Sequence, residues 1–296
     1  MALTMRLSLA PNPWFWPRER TLAFYRDVAS WPVDIVHLGE TVCSKRRELG
    51  TRDWIVVAES LAEAGKEVVL STLALVEAES EVGALRRLVG HGGFTIEAND
   101  LTAVQLCRQA GRPFVGGPGL NVYNHRSLKL LQEDGLMRWV PGTEQGEALM
   151  RELLEALEAE GGTRPELEVQ VWGRQALSWS ARCFTARALD VPKDACGFRC
   201  IEHPEGLPLA TREGEPFLRI NGVQVMGEDV VDLGPELEAL RALGVDILRI
   251  VPQPDGLESV VQRFRNGLKT GVALDRVGAP SGYWSGTAGS SRIAGA

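Results

Sequence analysis

Short apolar runs alternate with amphipathic stretches along most of this chain. The runs MRLSLA, VDIVHLG, EVVLST, GFTIEA, RPFVGG, LMRWVPG, LEVQVWG and VDILRIV are brief and rich in β-branched side chains, as buried strands are. Between them, apolar residues recur at helical spacing over Arg18–Ser30, Arg52–Ala64, Glu81–Gly90, Leu101–Gln109, Asn124–Glu133, Gly146–Glu160, Pro235–Leu243 and Gly256–Leu268. Eight strands alternating with eight helices predict a parallel sheet under helical cover, and eight is the number that closes a barrel. The expected fold is therefore α/β, a (β/α)8 TIM-like barrel. An open doubly wound sheet is the alternative, because counting does not show closure.

Two stretches depart from the rhythm. From about Gly173 to Gly234 the pattern is irregular, and HPEGLPLATREGEPFLRINGVQVMGED reads as short hairpins punctuated by Gly and Pro. This is an elaborated loop after strand seven, and in a parallel barrel such loops open at the carboxyl ends of the strands, where function concentrates. Residues 1–279 are thus expected to form a single barrel domain with that insertion, and the Gly-, Ser- and Ala-rich residues 280–296 a flexible C-terminal tail.

With 296 residues, of which 44% are hydrophobic, the chain can bury a large core. The apolar start of MALTMRLSLAPNPWFWPRER is short, lacks a basic lead and runs into Pro11, Pro13 and Pro17, and no segment has the ~18 uncharged residues of a membrane span. A cytoplasmic protein is expected. The net charge of −7 argues against a nucleic-acid partner, and Lys45-Arg46-Arg47 is too short a basic run to change that.

Cysteine placement changes the picture most. Three of the five cysteines fall in CFTARALDVPKDACGFRC, as Cys183, Cys196 and Cys200. In a reducing compartment clustered cysteines hold metal or do redox chemistry more often than they form disulfides. Cys43, just past strand two in GETVCSKRRELG, opens on the same barrel face and is the candidate fourth ligand. Cys107 follows helical spacing in LTAVQLCRQ and reads as a small buried hydrophobe. One C-x(3)-C pair with two outlying cysteines fits zinc less well than an iron-sulfur cluster bridging separate loops, although spacing leaves both open.

The stretch EVQVWGRQALSWSARC, followed by KDACGFRC and EHPEG, resembles the core of the collagenase-like peptidase family, as does GPGLNVYNHRSLKLL. In that family a His-containing turn and a first cysteine begin the 4Fe-4S ligand set. Here Trp172 and Ala176 stand in those places, so the resemblance leaves one usual ligand absent, which Cys43 can replace. That exchange is similar to the UbiV-type branch of the family, which serves ubiquinone biosynthesis. The resemblance implies a 4Fe-4S cluster on Cys43, Cys183, Cys196 and Cys200 and oxygen-independent hydroxylation of the quinone ring as a heterodimer with a UbiU-type partner. It also implies a small-molecule oxygen donor such as prephenate, and a lipid-carrier accessory protein as a further partner. A noncatalytic scaffold with a structural metal and an RNA-hydroxylating relative are the alternatives, the acidic balance weighing against the latter.

Glu97, Asn99, Asn121, Asn124 and Arg174, with His37, fall at predicted strand ends and are candidates for substrate contact. Arg174 suits a carboxylate, which a guanidinium can bind with two hydrogen bonds. Asn99 or Asp100, and Asn124, equally suit helix N-caps. Trp14, Phe15 and Trp16 suit packing at the core or rim, with a prenyl tail or a partner as the alternative. No G-x-S-x-G or H-E-x-x-H motif occurs, so protease chemistry is not expected, and no catalytic residue is assigned.

Overall fold

A computed structural model describes residues 5–289. Eight parallel strands close a barrel: β1 (Arg6–Leu9), β2 (Ile35–Leu38), β3 (Glu67–Ser71), β4 (Thr95–Ala98), β5 (Phe114–Gly116), β6 (Leu136–Trp139), β7 (Glu166–Trp179) and, last in the chain, β11 (Ile247–Ile250). Closure comes from β11, which pairs with β1 (Leu7 opposite Leu248) and with β7 (Leu248 opposite Val169). Each expected run supplies one barrel strand.

The outer helices are α1 (Arg18–Val28), α2 (Thr51–Glu63), α3 (Glu79–His91), α4 (Leu101–Gln109), α5 (His125–Glu133), α6 (Glu147–Ala159), α8 (Leu237–Leu243) and α9 (Leu257–Thr270). Each turns one apolar stripe to the barrel, for instance Leu153, Leu154 and Leu157 of α6 or Leu257, Val261 and Phe264 of α9. Local chemistry sets several starts. The Asp100 carboxylate accepts the Thr102 N–H at 2.7 Å, and the Asn124 amide oxygen accepts the Ser127 N–H at 2.9 Å, capping α4 and α5. No helix among the described residues is long and apolar enough to cross a membrane.

The break after strand seven has a definite form. β7 is 14 residues long and leaves the barrel halfway. Its outer half pairs antiparallel with β10 (Gln224–Asp232), which pairs with β9 (Pro216–Asn221) and that with β8 (Leu207–Ala210), so the expected hairpins form one projecting arm. The short helix α7 (Phe184–Ala188) lies between the arms of this excursion. Departure occurs at Gly173, whose φ of +114° and whose missing side chain both matter: a Cβ would stand 2.7 Å from the Val251 side chain.

Residues 280–289 do not behave as the expected flexible tail. Asp232, fully buried, accepts the Val277 N–H at 2.9 Å and pairs with Arg263, while Asp232 N–H and Ala279 O bond at 2.8 Å. Beyond this anchor Trp284 packs into the core at 8% exposure, and its carbonyl accepts the Glu147 N–H at the start of α6. A Gly-Ser-Ala composition says little when one buried tryptophan supplies the contact. Residues 290–296 of the same stretch lie outside the described residues.

Trp284→Ala is therefore expected to destabilise the protein by about 3–5 kcal/mol, the range for truncating a large buried aromatic. Urea unfolding with far-ultraviolet circular dichroism measures it; an unchanged midpoint would mean that the segment does not pack.

Candidate functional site

Charged side chains fill the barrel interior. At the amino-terminal end, Arg138 reaches Glu67 (2.8 Å) and Glu166 (2.9 Å), and Arg6 pairs with the same two carboxylates, each at 2.6 Å. A small apolar cluster of Ile35, Val69, Val115, Val140 and Ile247 shares the interior. Within it sit Glu97 and Glu168, both without solvent exposure. Arg249 bridges them, 2.8 Å from Glu97 and 2.9 Å from Glu168. His37 lies 3.1 Å from Glu168 and 3.6 Å from Glu97, and Ser8 and Ser71 hydroxyls donate to Glu168 (2.8 Å) and Glu97 (2.5 Å).

Burial alone would protonate these carboxylates. The Arg249 and His37 charges outweigh burial and hold Glu97 at about 2, with Ser71 assisting, and the same two neighbours hold Glu168 well below the ordinary carboxylate value. Burial likewise opposes a charged His37, but Glu168, seconded by Glu97, raises its pKa. The groups thus sustain one another's charges.

Above this network a cavity of about 110 Å³ opens at the carboxyl ends of the strands, with Glu97, Asn99, Gln170, Arg174, Arg249 and Trp284 among its lining. Of the substrate candidates, the structure brings Glu97, Asn99 and Arg174 here. The Asn99 side chain is committed to loop architecture: its Nδ2 donates to Thr72 O at 3.1 Å and its Oδ1 accepts the Gly119 N–H at 3.4 Å. Arg174 lies 3.6 Å from Glu228, and its Nη1 has no hydrogen-bond partner. Burial lowers its pKa. Asn121 and Asn124 are exposed and do not line the cavity; Asn121 adopts a left-handed turn (φ 50°) and Asn124 caps α5. His37 lies beneath the mouth, inside the network.

The cysteines occupy the rim. Cys43 lies in the β2–α2 loop and Cys183 caps α7, its sulfur accepting the Ala186 N–H at 3.4 Å; Cys196 and Cys200 follow in short 3-10 turns, and all four are partly exposed. Burial pushes the Cys43 and Cys200 thiols up, Arg46 opposes it for both, and the Cys183 thiol is near enough to add to the rise in each. Lys45 stands beside Cys43 and Cys196 and pairs with Asp194 at 2.7 Å. Arg46 is locked in place, donating to Pro13 O at 2.9 Å and Asn221 Oδ1 at 2.7 Å and lying over the Phe15 ring, while its buried Nε has no partner. Trp14, Phe15 and Trp16 are buried around this arginine as rim packing. Among the described residues no three His, Cys, Asp or Glu side chains converge as a metal-holding group. Thiol donors beside a fixed cation suit an anionic thiolate-held cluster, although the four do not converge as they stand. Cys107, by contrast, is wholly buried on α4, where desolvation lifts its thiol to about 11.

The family model of peptidase family U32 matches residues 22–273. The chain belongs to that family. Among solved structures, the U32 peptidase Mk0906 is 13% identical, with 85% of this chain and 94% of that one covered and a TM-score of 0.44. Dihydropteroate synthase from Thermus thermophilus is 17% identical (90% and 94% covered, TM-score 0.45), and tryptophan synthase from M. tuberculosis is 11% identical (90% and 88% covered, TM-score 0.45). In this U32 chain Ala176 lines the central cavity, whereas Trp172 packs in the core.

Glu168, Arg249, Arg138 and Arg46 were not marked by motif. A signal existed for the first three: a charge inside a short apolar strand, as in LEVQV, ILRI and LMRW, has only the barrel interior to enter.

A carboxylate with a depressed pKa contributes stability in full above the ordinary value of 4.5 and loses it as pH falls through about 2. Stability should accordingly decline below about pH 4.5. Glu97→Gln, which leaves Arg249 half-paired, should cost about 3–5 kcal/mol near neutral pH and flatten that acid limb. Urea titrations across pH test both; a variant matching the parent at neutral pH would contradict the network.

Proposed function

We propose that this chain is a 4Fe-4S-binding subunit of an oxygen-independent hydroxylation system in ubiquinone biosynthesis, of the UbiV type, working with a UbiU-type partner. The observation that carries this reading is the placement on one rim of Cys43, Cys183 and Cys200 as neighbours from loops distant in sequence, with Arg46 beside Cys43 and Cys200, and of Cys196 beside Lys45. These four residues would hold the cluster, which supplies one-electron transfer when bound. Arg46 would offset its negative charge, and Lys45 would hold the Cys43 and Cys196 loops together. Arg174, with an unpartnered Nη1 at the cavity, is the natural anchor for the carboxylate of a prephenate-like oxygen donor. A noncatalytic scaffold with a structural metal is the second reading, favoured by the mutual pairing of Glu97, Glu168, His37 and Arg249, which leaves few interior groups free for catalysis.

The partner surface, in this reading, is the projecting arm with its neighbouring rim, where Phe198, Leu209 and Phe217 are 50%, 43% and 48% exposed. Large apolar side chains exposed together are characteristic of contact surfaces.

Protein prepared without oxygen should be brown, absorb near ~400 nm and contain iron and sulfide. Ala at Cys43, Cys183, Cys196 or Cys200 should strip or destabilise the cluster, whereas Cys107→Ala should keep the iron and cost only about 1 kcal/mol of packing. Stoichiometric zinc without iron would favour the scaffold.

Co-expression with a UbiU-type relative should give a one-to-one complex burying at least ~1,200 Å², read by size-exclusion chromatography with light scattering. Phe217→Glu should weaken it. Separate elution of the two wild-type chains would remove the heterodimer.

A further inference from the structure

A second cavity, of about 460 Å³, lies outside the barrel between α2 and α3, apart from the central cavity. Leu38, Leu49, Trp54, Leu70, Leu85 and Leu88 form its apolar walls. Small-molecule sites share this size, roughly 300–1,000 Å³, and this composition of apolar lining with few polar groups. The polar groups here are unevenly matched. Arg46, Arg47 and Arg87 border the crevice together with Glu40 and Glu81. Both acids are engaged by backbone: Glu40 accepts the Val42 and Cys43 N–H groups at 2.8 and 3.1 Å, and Glu81 accepts those of Glu77 and Ala78 at 2.6 and 3.1 Å. The exposed arginines keep free donors: Arg47 makes a single long bond, 3.4 Å, to Ser44 O, whereas Arg46, with 1% of its side chain exposed, is held by Pro13 O, Asn221 and, at 3.9 Å, Glu40.

An apolar chamber bordered by cations with unused N–H groups matches a molecule that has an oily body and an anionic end. We propose that the crevice between α2 and α3 binds an amphiphilic small molecule, its apolar chain or ring between the helices and its anionic head at Arg47 and Arg87. Charge complementarity selects the head, and the leucine walls select the body. Ser44 and Arg46 belong to the loop that carries Cys43, so an occupant would lie next to the thiol rim. The proposal stands independently of any metal at the cysteines.

The test is calorimetric titration of the full chain with dodecanoate, and with dodecanol as the uncharged probe of equal chain length, both below micelle formation. Dodecanoate should bind saturably at a single site. Ala84→Trp, which fills the crevice from α3, and Ser80→Trp, which plugs its exposed edge without touching the core, should each weaken binding by at least about tenfold. Replacing both Arg47 and Arg87 by Glu should weaken dodecanoate by about threefold and leave dodecanol unchanged, as expected for exposed charge pairs. Circular dichroism confirms that each variant folds. Uptake that does not saturate, equal affinity in a folded Ser80→Trp variant, or dodecanol binding as tightly as dodecanoate would each overturn the proposal.

Discussion

Glu97 and Glu168 have no access to water, and a carboxylate without water must be supplied with cations and donors or give up its charge. That constraint organises the barrel. The partners come from β1 (Ser8), β2 (His37), β3 (Ser71), β6 (Arg138) and β11 (Arg249), with the carboxylates themselves on β4 and β7. Seven strands therefore contribute to one network, which is satisfied only when the sheet is closed in a single register. A slip of one residue in any of them would turn its member outward and leave a buried charge alone. An ionic interior stabilises little compared with an apolar one, yet it penalises a wrong register by several kcal/mol, which makes it a device for specifying the closed form.

The same constraint shapes where chemistry can occur. Charges that hold one another are poor acids, bases or anchors, so the floor of the central cavity, although lined by Glu97 and Arg249, is largely occupied by its own ion pairs, with Arg138 Nη1 and Glu168 Oε2 left 3.6 Å apart without a hydrogen bond. Groups outside the network lie higher: Arg174 at the cavity, whose Nη1 makes no hydrogen bond, and at the rim Arg46 with the thiols of Cys43 and Cys200 beside it. The candidate groups are concentrated in the loops, as functional groups are in other parallel barrels, but here the contrast with the interior is electrostatic as well as geometric.

Sequence periodicity revealed the fold because it is a local property: each run had to be a strand and each amphipathic stretch a helix, and Gly173 with the Pro- and Gly-rich segment marked where β7 leaves the barrel. The cysteine rim was legible in part, since Cys43 and the 183–200 cluster fall in loops on one face. The interior network was not, because the pairing of His37 with Glu168, 131 positions later, exists only after closure. His37, Glu97 and Arg174 were noticed as strand-end polar groups, but whether each faces a ligand or another side chain is decided by neighbours that sequence spacing does not name. Asn121 and Asn124 show the converse. The Asn124 cap chemistry is local and was visible, and the left-handed turn at Asn121, though not named from the sequence, is equally local, so both are accounted for without a ligand. Residues 280–289 misled because composition was weighed over Trp284, one side chain whose burial outweighs a run of small residues.

The interior and the rim are connected through two strands. β2 carries His37 and leads within six residues to Cys43; β7 carries Glu168 and, after leaving the barrel at Gly173, ends four residues before Cys183. The register that the buried charges enforce is thus transmitted to the roots of both cysteine-bearing loops, and Arg46 joins those loops again by holding Pro13 and Asn221. Cys196 and Cys200 have no such root. They sit in short turns fixed by surface contacts, Lys45 to Asp194 and Lys193 to Glu77 at 2.7 and 2.6 Å, and exposed pairs of this kind hold a loop only weakly. Two ligand candidates are consequently placed by the barrel and two by contacts that a bound group could rearrange. This division explains how four thiols can lie around one rim without converging: Cys43 and Cys183 are fixed by the fold, whereas Cys196 and Cys200 are held by contacts weak enough to rearrange.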